Sequence, residues 1–302
     1  MDEKRFDGRV ALVTGAGGGL GKAYALLLAS RGAKVVVNDL GTSRTGDGAD
    51  LGMAQAVVDE IRAAGGEAIA NGDSVATAEG CARMVGDAVA AFGKVDILIH
   101  NATINRHAMF RDLTYADFSA VMDVHLGGAF HLCREVFPAM CDAGYGRIVL
   151  VSSIAGLYGE RKVAAYSTAK GALVGLCNAL AVEGQDHGVG VNCIVPAAQT
   201  RLAEGRDTDE FPPWGPDLVA PAVGWLVHED CQASGRLFVA LAGRMAEAYV
   251  AETRGVYQPE WTIDQIATRL DEIGDRSGQV TFDPVPKGFY DHLAYSFGMA
   301  RE

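Results

Sequence analysis

The chain has 302 residues, of which 49% are hydrophobic, and its formal net charge at pH 7 is −12. This length and composition are enough for one large α/β domain or two small ones with a sizeable core. The negative charge argues against nucleic acid and against a membrane surface as partners, because both attract basic proteins. No apolar run approaches the ~18 residues of a membrane-spanning helix, so we expect no membrane partner.

The cysteines and the first residues bear on the compartment. Six cysteines are spread along the chain without a CxxC or Cys/His ligand spacing. They are typical of buried thiols in a reducing compartment and predict neither disulfides nor a metal site. The first ten residues, MDEKRFDGRV, have mixed charge and no apolar stretch of the kind found in signal peptides. We therefore expect a cytoplasmic protein without a bound metal.

Short apolar runs alternate with helical patterns along the chain. Strands are predicted at residues 10–13, 34–39, 68–70, 95–99, 147–152, 189–195 and 236–241. Helices are predicted at residues 21–31, 51–64, 77–92, 116–141, 163–183 and 217–228. Such alternation, with strands that are apolar on both faces, predicts a doubly wound, Rossmann-type α/β fold. Its parallel sheet has about seven strands, with helices on both faces.

Two segments depart from this alternation. Residues 41–50, GTSRTGDGAD, are a polar, glycine-rich insertion after the second predicted strand. Residues from about 246 onward show one helical pattern, at 262–273, and then a tail rich in proline, glycine and aromatic residues. We interpret residues 1–245 as one α/β domain. Residues 246–302 are interpreted as a C-terminal extension that packs on the same domain or on a neighbouring subunit.

A glycine-rich turn, TGAGGGLG at residues 14–21, joins the first predicted strand to the first predicted helix. Glycines let a pyrophosphate approach the backbone closely, and the start of the helix offers free N–H groups to the anion. The spacing fits TGxxxGxG; it fits neither GxGxxG nor the phosphate loop of NTPases. A turn with only a packing role is the alternative, but the position between strand and helix favours dinucleotide binding.

The choice of dinucleotide depends on Asp39, at the end of the second predicted strand. Its carboxylate can accept a hydrogen bond from a ribose 2′-OH and would repel a 2′-phosphate, so the sequence predicts NAD. Arg44, in the insertion, is a cation that would favour NADP instead. Three further polar segments follow strands and are expected at the same sheet edge: Asp73-Ser74, residues 100–103 (HNAT) and residues 196–200 (PAAQT).

The stretch AAYSTAK places Tyr166 four positions before Lys170 on a predicted helix, with Ser153 thirteen positions before the tyrosine. Residues at (i, i+4) share a helix face. A lysine ammonium beside a phenol favours the phenolate and lowers the phenol pKa from its usual value near ~10. The pair alone is more typical of a core-facing tyrosine beside a solvated lysine. Together with the glycine turn, Asp39 and Ser153, it predicts proton transfer during hydride chemistry.

At these residues the sequence resembles the short-chain dehydrogenase/reductase family, over about residues 5–245. Within that family it is most similar to the (3R)-hydroxyacyl-CoA dehydrogenase units of peroxisomal multifunctional enzymes. Bacterial relatives in fatty-acyl-CoA and steroid side-chain degradation are also similar. The closer similarity lies in RGAKVVVNDLG (31–41), the insertion after it, YGRIVLVSS (145–153) and WLVHEDCQASGRLF (225–238).

The resemblance implies an NAD-dependent oxidoreductase that interconverts a secondary hydroxyl and a ketone, and it implies a homodimer or homotetramer. Tyr166 would be the general acid/base, Lys170 would lower its pKa and hold the nicotinamide ribose, and Ser153 would bind the substrate oxygen. The residues implied to face the cofactor are Gly15, Gly18, Gly19, Leu20, Asp39, Leu40, Asp73, Ser74, Asn101, Ala102, Tyr166, Lys170, Pro196, Ala198 and Thr200.

Two positions depart from the family pattern. The usual NNAG is HNAT at residues 100–103, so Thr103 replaces a glycine near the cofactor and is expected to narrow the pocket or shift the loop. His125 stands where the family commonly has an asparagine that supports a proton relay through water. A neutral imidazole could replace that asparagine, although a histidine satisfied within the core is an equal alternative.

The substrate is the least determined part. A small molecule, most simply a 3-hydroxyacyl-CoA with a bulky or steroid-derived acyl part, is the first hypothesis. Free hydroxysteroids or other secondary alcohols are the alternative; an acyl-carrier-protein reductase and a non-catalytic NAD-binding protein are weaker ones. Residues 199–216, with Phe211 and Trp214, have the length of a substrate lid. Candidate cations for CoA phosphates are Arg106, Arg111, Arg161, Lys162, Arg201 and Arg206.

Overall fold

The computed structural model describes residues 3–43, 45–200 and 211–301, which divide between two compact units, Met1–Glu247 and Ala248–Glu302. Arg44, Arg201 and Arg206, which the sequence singles out, lie outside the described residues. The larger unit is built on one twisted sheet of eight strands, in the order β3-β2-β1-β4-β5-β6-β7-β8. Its strands are β1 Val10–Thr14, β2 Lys34–Asn38, β3 Glu67–Asn71, β4 Ile97–His100, β5 Gly146–Val151, β6 Val189–Ala197, β7 Leu237–Leu241 and β8 Arg244–Ala248.

All the neighbouring pairs from β3 to β7 are parallel, which confirms the predicted doubly wound sheet. The order reverses at β1, which pairs with β2 on one side and with β4 on the other. Ligands of open α/β sheets bind beyond the carboxyl ends of the strands at such a reversal. The topology therefore directs attention to the residues that follow β1, β2 and β4.

Helices cover both faces of the sheet. The helices of this unit are α1 Gly19–Ser30, α2 Gly52–Ala63, α3 Ala78–Phe92, α4 Tyr115–Met122, α5 Gly128–Ala143, α6 Ile154–Tyr158, α7 Ala164–Gly184 and α8 Ala220–Leu226. Helix α1 contacts α2 and α8 in one layer, and α5 contacts α3 and α7 in the second. The central strands β1, β4 and β5 are fully buried, because they present apolar side chains to both layers.

Four elements of the larger unit differ from the sequence-based expectation. The helix predicted at 116–141 is interrupted by a π-helical turn, Asp123–Gly127, between α4 and α5. Helix α8 is shorter than residues 217–228, because a 3-10 turn, Pro216–Leu218, precedes it. The short helix α6 was not predicted. Strand β8 was not predicted either: it follows β7 after Ala242 and Gly243, whose φ values of 48° and 80° suit a tight hairpin turn.

A cluster of cations holds the amino end of β5 to neighbouring segments. Arg147 is buried, and its guanidinium donates hydrogen bonds to the carbonyl oxygens of Gly146 and Gly188 at 2.8 and 2.9 Å. The ring of Tyr145 lies between the guanidinium groups of Arg147 and Arg9, at 4.7 and 3.6 Å from its centroid. Arg147 also donates to the backbone oxygen of Glu229 at 3.1 Å. The stretches YGRIVLVSS and WLVHEDCQASGRLF are therefore joined by contacts at the amino end of the sheet.

The smaller unit has its own secondary structure. Strands β9 Ala251–Thr253 and β10 Gln279–Thr281 form an antiparallel pair. The helical pattern predicted at 262–273 forms two short helices, α9 Ile263–Thr268 and α10 Leu270–Ile273, the first with a capping box on Thr262. The tail forms a helix that was not predicted, α11 Gly288–Met299. Within the described ranges, no helix of either unit is long and apolar enough to cross a bilayer.

Candidate active site

The glycine turn brings backbone amides to the edge of the sheet. Helix α1 begins at Gly19, and the residue before it, Gly18, has no side chain to cap the first N–H groups. Two glycines are required by space: a Cβ on Gly21 would lie 2.2 Å from the carbonyl oxygen of Gly15, and a Cβ on Gly15 would lie 2.8 Å from Cα of Ala102. Uncapped N–H groups at the start of a helix suit the phosphates of a dinucleotide.

Asp39 is tied to the glycine turn by its carboxylate. Its Oδ2 accepts a hydrogen bond from the backbone N–H of Gly17 at 2.8 Å, and its Oδ1 accepts one from Gly41 at 2.7 Å. These two bonds fix the carboxylate beside the turn, at the wall of the cavity described below. A fixed carboxylate there can accept from a ribose hydroxyl and disfavours a phosphate at the same place.

Asp73 lies where it was predicted, but its carboxylate is already engaged. Arg83 donates to Oδ1 at 2.8 Å from Nε and 2.7 Å from Nη2, and Nδ2 of Asn71 donates to Oδ2 at 2.9 Å. Asn38, on β2, donates to the backbone oxygen of Asp73 at 2.9 Å. Asn38, Asn71 and Arg83 therefore hold this loop, and the backbone of Asp73 and Ser74 is what it can offer to a ligand.

Thr14 connects β1 to the loop after β4. Its Oγ1 accepts from the backbone N–H groups of Asn101 and Ala102 at 3.0 and 3.1 Å, and it lies 3.1 Å from Nδ1 of His100. Since Oγ1 already accepts twice, its own proton is donated to Nδ1, and His100 must carry its proton on Nε2. That Nε2 donates to the backbone oxygen of His125 at 3.0 Å. Burial, with the nearby Lys170 charge, lowers the pKa of His100 to about 4, so the ring is neutral.

The predicted helix brings Tyr166 and Lys170 together. Nζ of Lys170 lies 5.6 Å from the centroid of the Tyr166 ring and donates to the backbone oxygen of Val151 at 2.6 Å. Lys170 is only 2% exposed, and burial lowers its pKa to about 7. Ser153 caps helix α6, and its Oγ accepts from the N–H of Ala155 at 3.2 Å. A buried cation near a phenol favours the phenolate form of that phenol.

His125 lies within the π turn, where one extra residue per turn redirects side chains. Its Nε2 lies 2.9 Å from the backbone oxygen of Ile104 and 3.3 Å from Oγ1 of Thr103. Its ring stands edge-on to that of Tyr166, with the centroids 5.3 Å apart. Nδ1 is buried and has no hydrogen-bond partner among the described residues. Burial, with the Lys170 charge, holds the pKa of His125 well below its usual value, so the imidazole is neutral.

Two cavities meet at this edge of the sheet. The first, of about 420 Å³, is lined by the glycine turn and by Asp39, Asp73 and Val75. The second, of about 400 Å³, is lined by Ser153, Tyr166 and Lys170. Both include Leu20, Asn101, Thr103 and Thr200 in their walls. The arrangement can hold an elongated two-part ligand, with one end beside Asp39 and the other beside Tyr166.

The predicted site residues are distributed between these cavities as follows. The first is lined by Gly15, Gly18, Gly19, Leu20, Asp39, Leu40, Asp73, Ser74, Asn101, Ala102 and Thr200. The second is lined by Ser153, Tyr166, Lys170, Pro196 and Ala198, with the shared residues. His125 lines neither and reaches the second cavity only through Thr103 and Tyr166.

Part of the predicted lid is described. Trp214 lines the second cavity, and Phe211 packs edge-on against it with ring centroids 5.7 Å apart. The remainder of that lid, residues 201–210, lies outside the described residues. Sequence reasoning gave no role to Asn38, His100 or Asn105. A periodicity argument cannot find such residues, because their positions depend on contacts between distant strands.

A family profile described as short chain dehydrogenase matches residues 9–210. The chain is 46% identical to the peroxisomal multifunctional enzyme type 2 of Drosophila melanogaster over 83% of this chain and 42% of that one. It is 41% identical to a short-chain type dehydrogenase/reductase of Mycobacterium tuberculosis, over 89% of this chain and 95% of that one. The solved structure of the full-length Drosophila enzyme superposes with a TM-score of 0.80 at 34% identity, covering 98% of this chain and 50% of that chain.

The chain thus spans less than half the length of the Drosophila enzyme and nearly all of the mycobacterial relative. The residues present fit a dinucleotide, because the uncapped start of α1, the Asp39 carboxylate and the paired cavities suit its phosphates, its ribose and its length. The chain belongs to the short-chain dehydrogenase family, and it is an oxidoreductase that acts on a CH–OH group with an NAD(P) cofactor.

Proposed function

We propose that this chain is an NAD-dependent dehydrogenase that interconverts the secondary hydroxyl of a 3-hydroxyacyl-CoA and the corresponding ketone. The observation that supports it most is that Ser153, Tyr166 and Lys170 line one cavity, which shares four lining residues with the cavity beside Asp39. The similarity to multifunctional enzymes supports the acyl-CoA part of the proposal. A bulky or steroid-derived acyl group is proposed on the same grounds.

In the proposed mechanism the chain handles the proton. A nicotinamide dinucleotide held in the two cavities would supply the chemistry of hydride transfer. Tyr166, as phenolate, takes the proton of the substrate hydroxyl and returns it in the reverse direction. Ser153 donates to the substrate oxygen and holds the reacting carbon in place. Lys170, whose Nζ lies 5.6 Å from the phenol ring centroid, favours the phenolate and binds the nicotinamide ribose.

His125 is proposed to support this proton transfer indirectly. Its Nε2 bond to the Ile104 oxygen fixes the tautomer, so Nδ1 is an acceptor. That buried acceptor lies on a ring in contact with Tyr166, and it has no partner in the described part of the chain. A water molecule that donates to Nδ1 would extend a proton path from the site. Asn101, Ala102 and the 196–200 segment are proposed to enclose the nicotinamide end of the cofactor.

Replacing Asp39 by serine is expected to reverse part of the preference for NAD. The variant loses the acceptor for the ribose 2′-OH and the charge that repels a 2′-phosphate. We expect kcat/KM with NAD to fall at least about tenfold, and kcat/KM with NADP to rise. Steady-state kinetics with both cofactors measures this, with Asp59→Ser, an exposed carboxylate on α2, as the matched control. If the ratio of kcat/KM with NAD to kcat/KM with NADP is unchanged in Asp39→Ser, Asp39 does not determine the choice of cofactor.

The substrate part is tested with a panel of compounds. Purified protein and NAD are given 3-hydroxyacyl-CoA thioesters of several chain lengths, the free 3-hydroxy acids, hydroxysteroids and simple secondary alcohols. NADH absorbance reports turnover, and we expect it with the CoA thioesters. Turnover only of free hydroxysteroids or simple alcohols would favour the alternative substrate class. NAD binding without turnover of any compound would favour a non-catalytic NAD-binding protein.

Other parts of the interpretation stay predictions. We propose a homodimer or homotetramer, and sedimentation equilibrium measures this oligomeric state directly. Packing of the extension on the same domain or on a neighbouring subunit is proposed, as is a cytoplasmic location.

Of the cations suggested for CoA phosphates, Arg106 lines the first cavity and lies 3.7 Å from the carboxylates of Asp47 and Asp117. Arg111 is exposed beside Asp112.

A further inference from the structure

The loop after β4 contributes to the walls of both cavities. Thr103, Asn105 and His107 line the second cavity, together with Ser153 and Tyr166. The residues between them, Ile104 and Arg106, line the first cavity. From residue 104 to residue 107, consecutive residues therefore line the two cavities in alternation, whereas Thr103 lines both. Thr103, Asn105 and His107 make part of the wall of the second cavity polar.

This segment is held at both ends. The backbone oxygen of Ile104 lies 2.9 Å from Nε2 of the buried His125. The N–H of Ala108 donates to the backbone oxygen of Lys162 at 2.9 Å, and Ala108 forms an isolated parallel bridge with Val163. Val163 directly precedes α7, the helix that contains Tyr166. The position of Asn105 is therefore fixed relative to the proposed catalytic helix.

The Asn105 side chain has an unmet hydrogen-bonding requirement. Its Oδ1 is buried, and within the described ranges no group donates to it. A buried amide oxygen without a donor destabilises a protein, so such groups are usually satisfied by protein, water or ligand. Asn105 lines the second cavity, and its Nδ2 is not among the buried atoms without a partner. A half-turn of the amide exchanges the positions of the two atoms, and a ligand in the cavity can then supply the donor to Oδ1.

We propose that Asn105 is a specificity-determining residue that accepts a hydrogen bond from an amide N–H of the substrate. The inference rests on the proposed function, because a CoA thioester has such an N–H in its pantetheine arm, a few bonds from the sulfur. The N–H and C=O of a trans amide point in opposite directions, so the proposed contact is a single hydrogen bond from the substrate N–H to Oδ1. The residue would select thioesters of pantetheine over secondary alcohols that lack the amide.

The test compares two thioesters of 3-hydroxybutyrate. One is the N-acetylcysteamine thioester, which has the amide N–H; the other has a methylene in place of that N–H and keeps the neighbouring carbonyl. The measured quantity is the ratio of their kcat/KM values with NAD. We expect the wild-type protein to prefer the amide about tenfold. Asn105→Leu, of similar size without polar atoms, is expected to bring the ratio close to one.

Two further variants separate this role from a structural one. Asn105→Asp keeps an acceptor oxygen and is expected to retain a preference for the amide on this uncharged substrate. Asn178→Leu, on α7 and outside the walls of both cavities, is the matched control and is expected to leave the ratio unchanged. A wild-type ratio near one, or an unchanged ratio in Asn105→Leu, overturns the inference even if CoA thioesters are turned over. No turnover of either thioester, with turnover of simple alcohols, overturns the proposed function instead.

Discussion

Replacing Tyr166 by phenylalanine is expected to lower kcat by about 10²–10⁴-fold, the range for loss of a general acid/base. The change removes one oxygen and keeps the ring, which packs edge-on against His125. The glycine turn and Asp39 are untouched, so we expect the dissociation constant for NADH to change by less than about twofold. Turnover by NADH absorbance and binding by NADH fluorescence measure the two quantities separately.

The matched control for this experiment is Tyr115→Phe. Tyr115 is 82% exposed and lies outside the walls of both cavities, so its hydroxyl should not affect turnover. Equal NADH binding with full turnover in Tyr166→Phe would remove Tyr166 from the mechanism. Loss of NADH binding together with turnover would show instead that the hydroxyl holds the cofactor site together.

Replacing Lys170 by methionine is expected to lower kcat/KM by about 10²-fold or more and to change how stability depends on pH. Methionine fills a similar volume and removes the positive charge, which favours phenolate below about pH 7, where Lys170 is protonated. In the wild-type protein, burial lowers the Lys170 pKa to about 7, against 10.5 for the unperturbed group. The groups that share its surroundings are Tyr166, the neutral His100 and His125, and the Cys193 thiol.

The sign of the pH effect follows from proton uptake. Between about pH 7 and 10.5 the unfolded chain has a protonated Lys170 and the folded chain does not, so the free energy of unfolding rises with pH through this window. We expect the wild-type free energy of unfolding to rise relative to Lys170→Met by about 2–4 kcal/mol between pH 6.5 and 9.5.

Urea unfolding of the protein without dinucleotide, at both pH values, measures this difference. Subtracting the variant's free energy of unfolding from that of the wild type at each pH cancels the contributions of the other titrating groups. Lys287→Met removes an exposed lysine, and for this control the difference in free energy of unfolding from the wild type is expected to be the same at both pH values. If the difference in free energy of unfolding between the wild type and Lys170→Met does not change with pH, Lys170 stays charged in the folded protein at pH 9.5.

The elements that depend on local sequence were predicted well. The parallel strands β1 to β7 are continuous apolar runs, and buried strands of that kind are recognisable without long-range information. Once α7 is a helix, the (i, i+4) spacing places the side chains of Tyr166 and Lys170 on the same face of it. The TGxxxGxG pattern likewise located the turn before α1, because only glycine fits where Gly15 and Gly21 approach other backbone atoms.

What could not be predicted depends on contacts between distant segments. The π turn at Asp123–Gly127 adds one residue to an otherwise regular helix, and apolar periodicity does not distinguish the two. The π turn allows His125 to contact Ile104 and Tyr166. The bond between Thr14 and His100 joins residues 86 positions apart. Sequence patterns placed both residues at strand ends but gave no reason to pair them.

The alternating loop at residues 104–107 restricts how this site can evolve. Substitutions at 105 and 107 alter the wall beside Tyr166, and substitutions at 104 and 106 alter the wall beside Asp39. At these four positions each cavity can therefore change independently by point mutation, whereas a substitution of Thr103 alters both. Insertion or deletion of one residue would exchange the two sets of side chains and alter both cavities at once. Selection is thus expected to preserve the length of this loop more strictly than its composition.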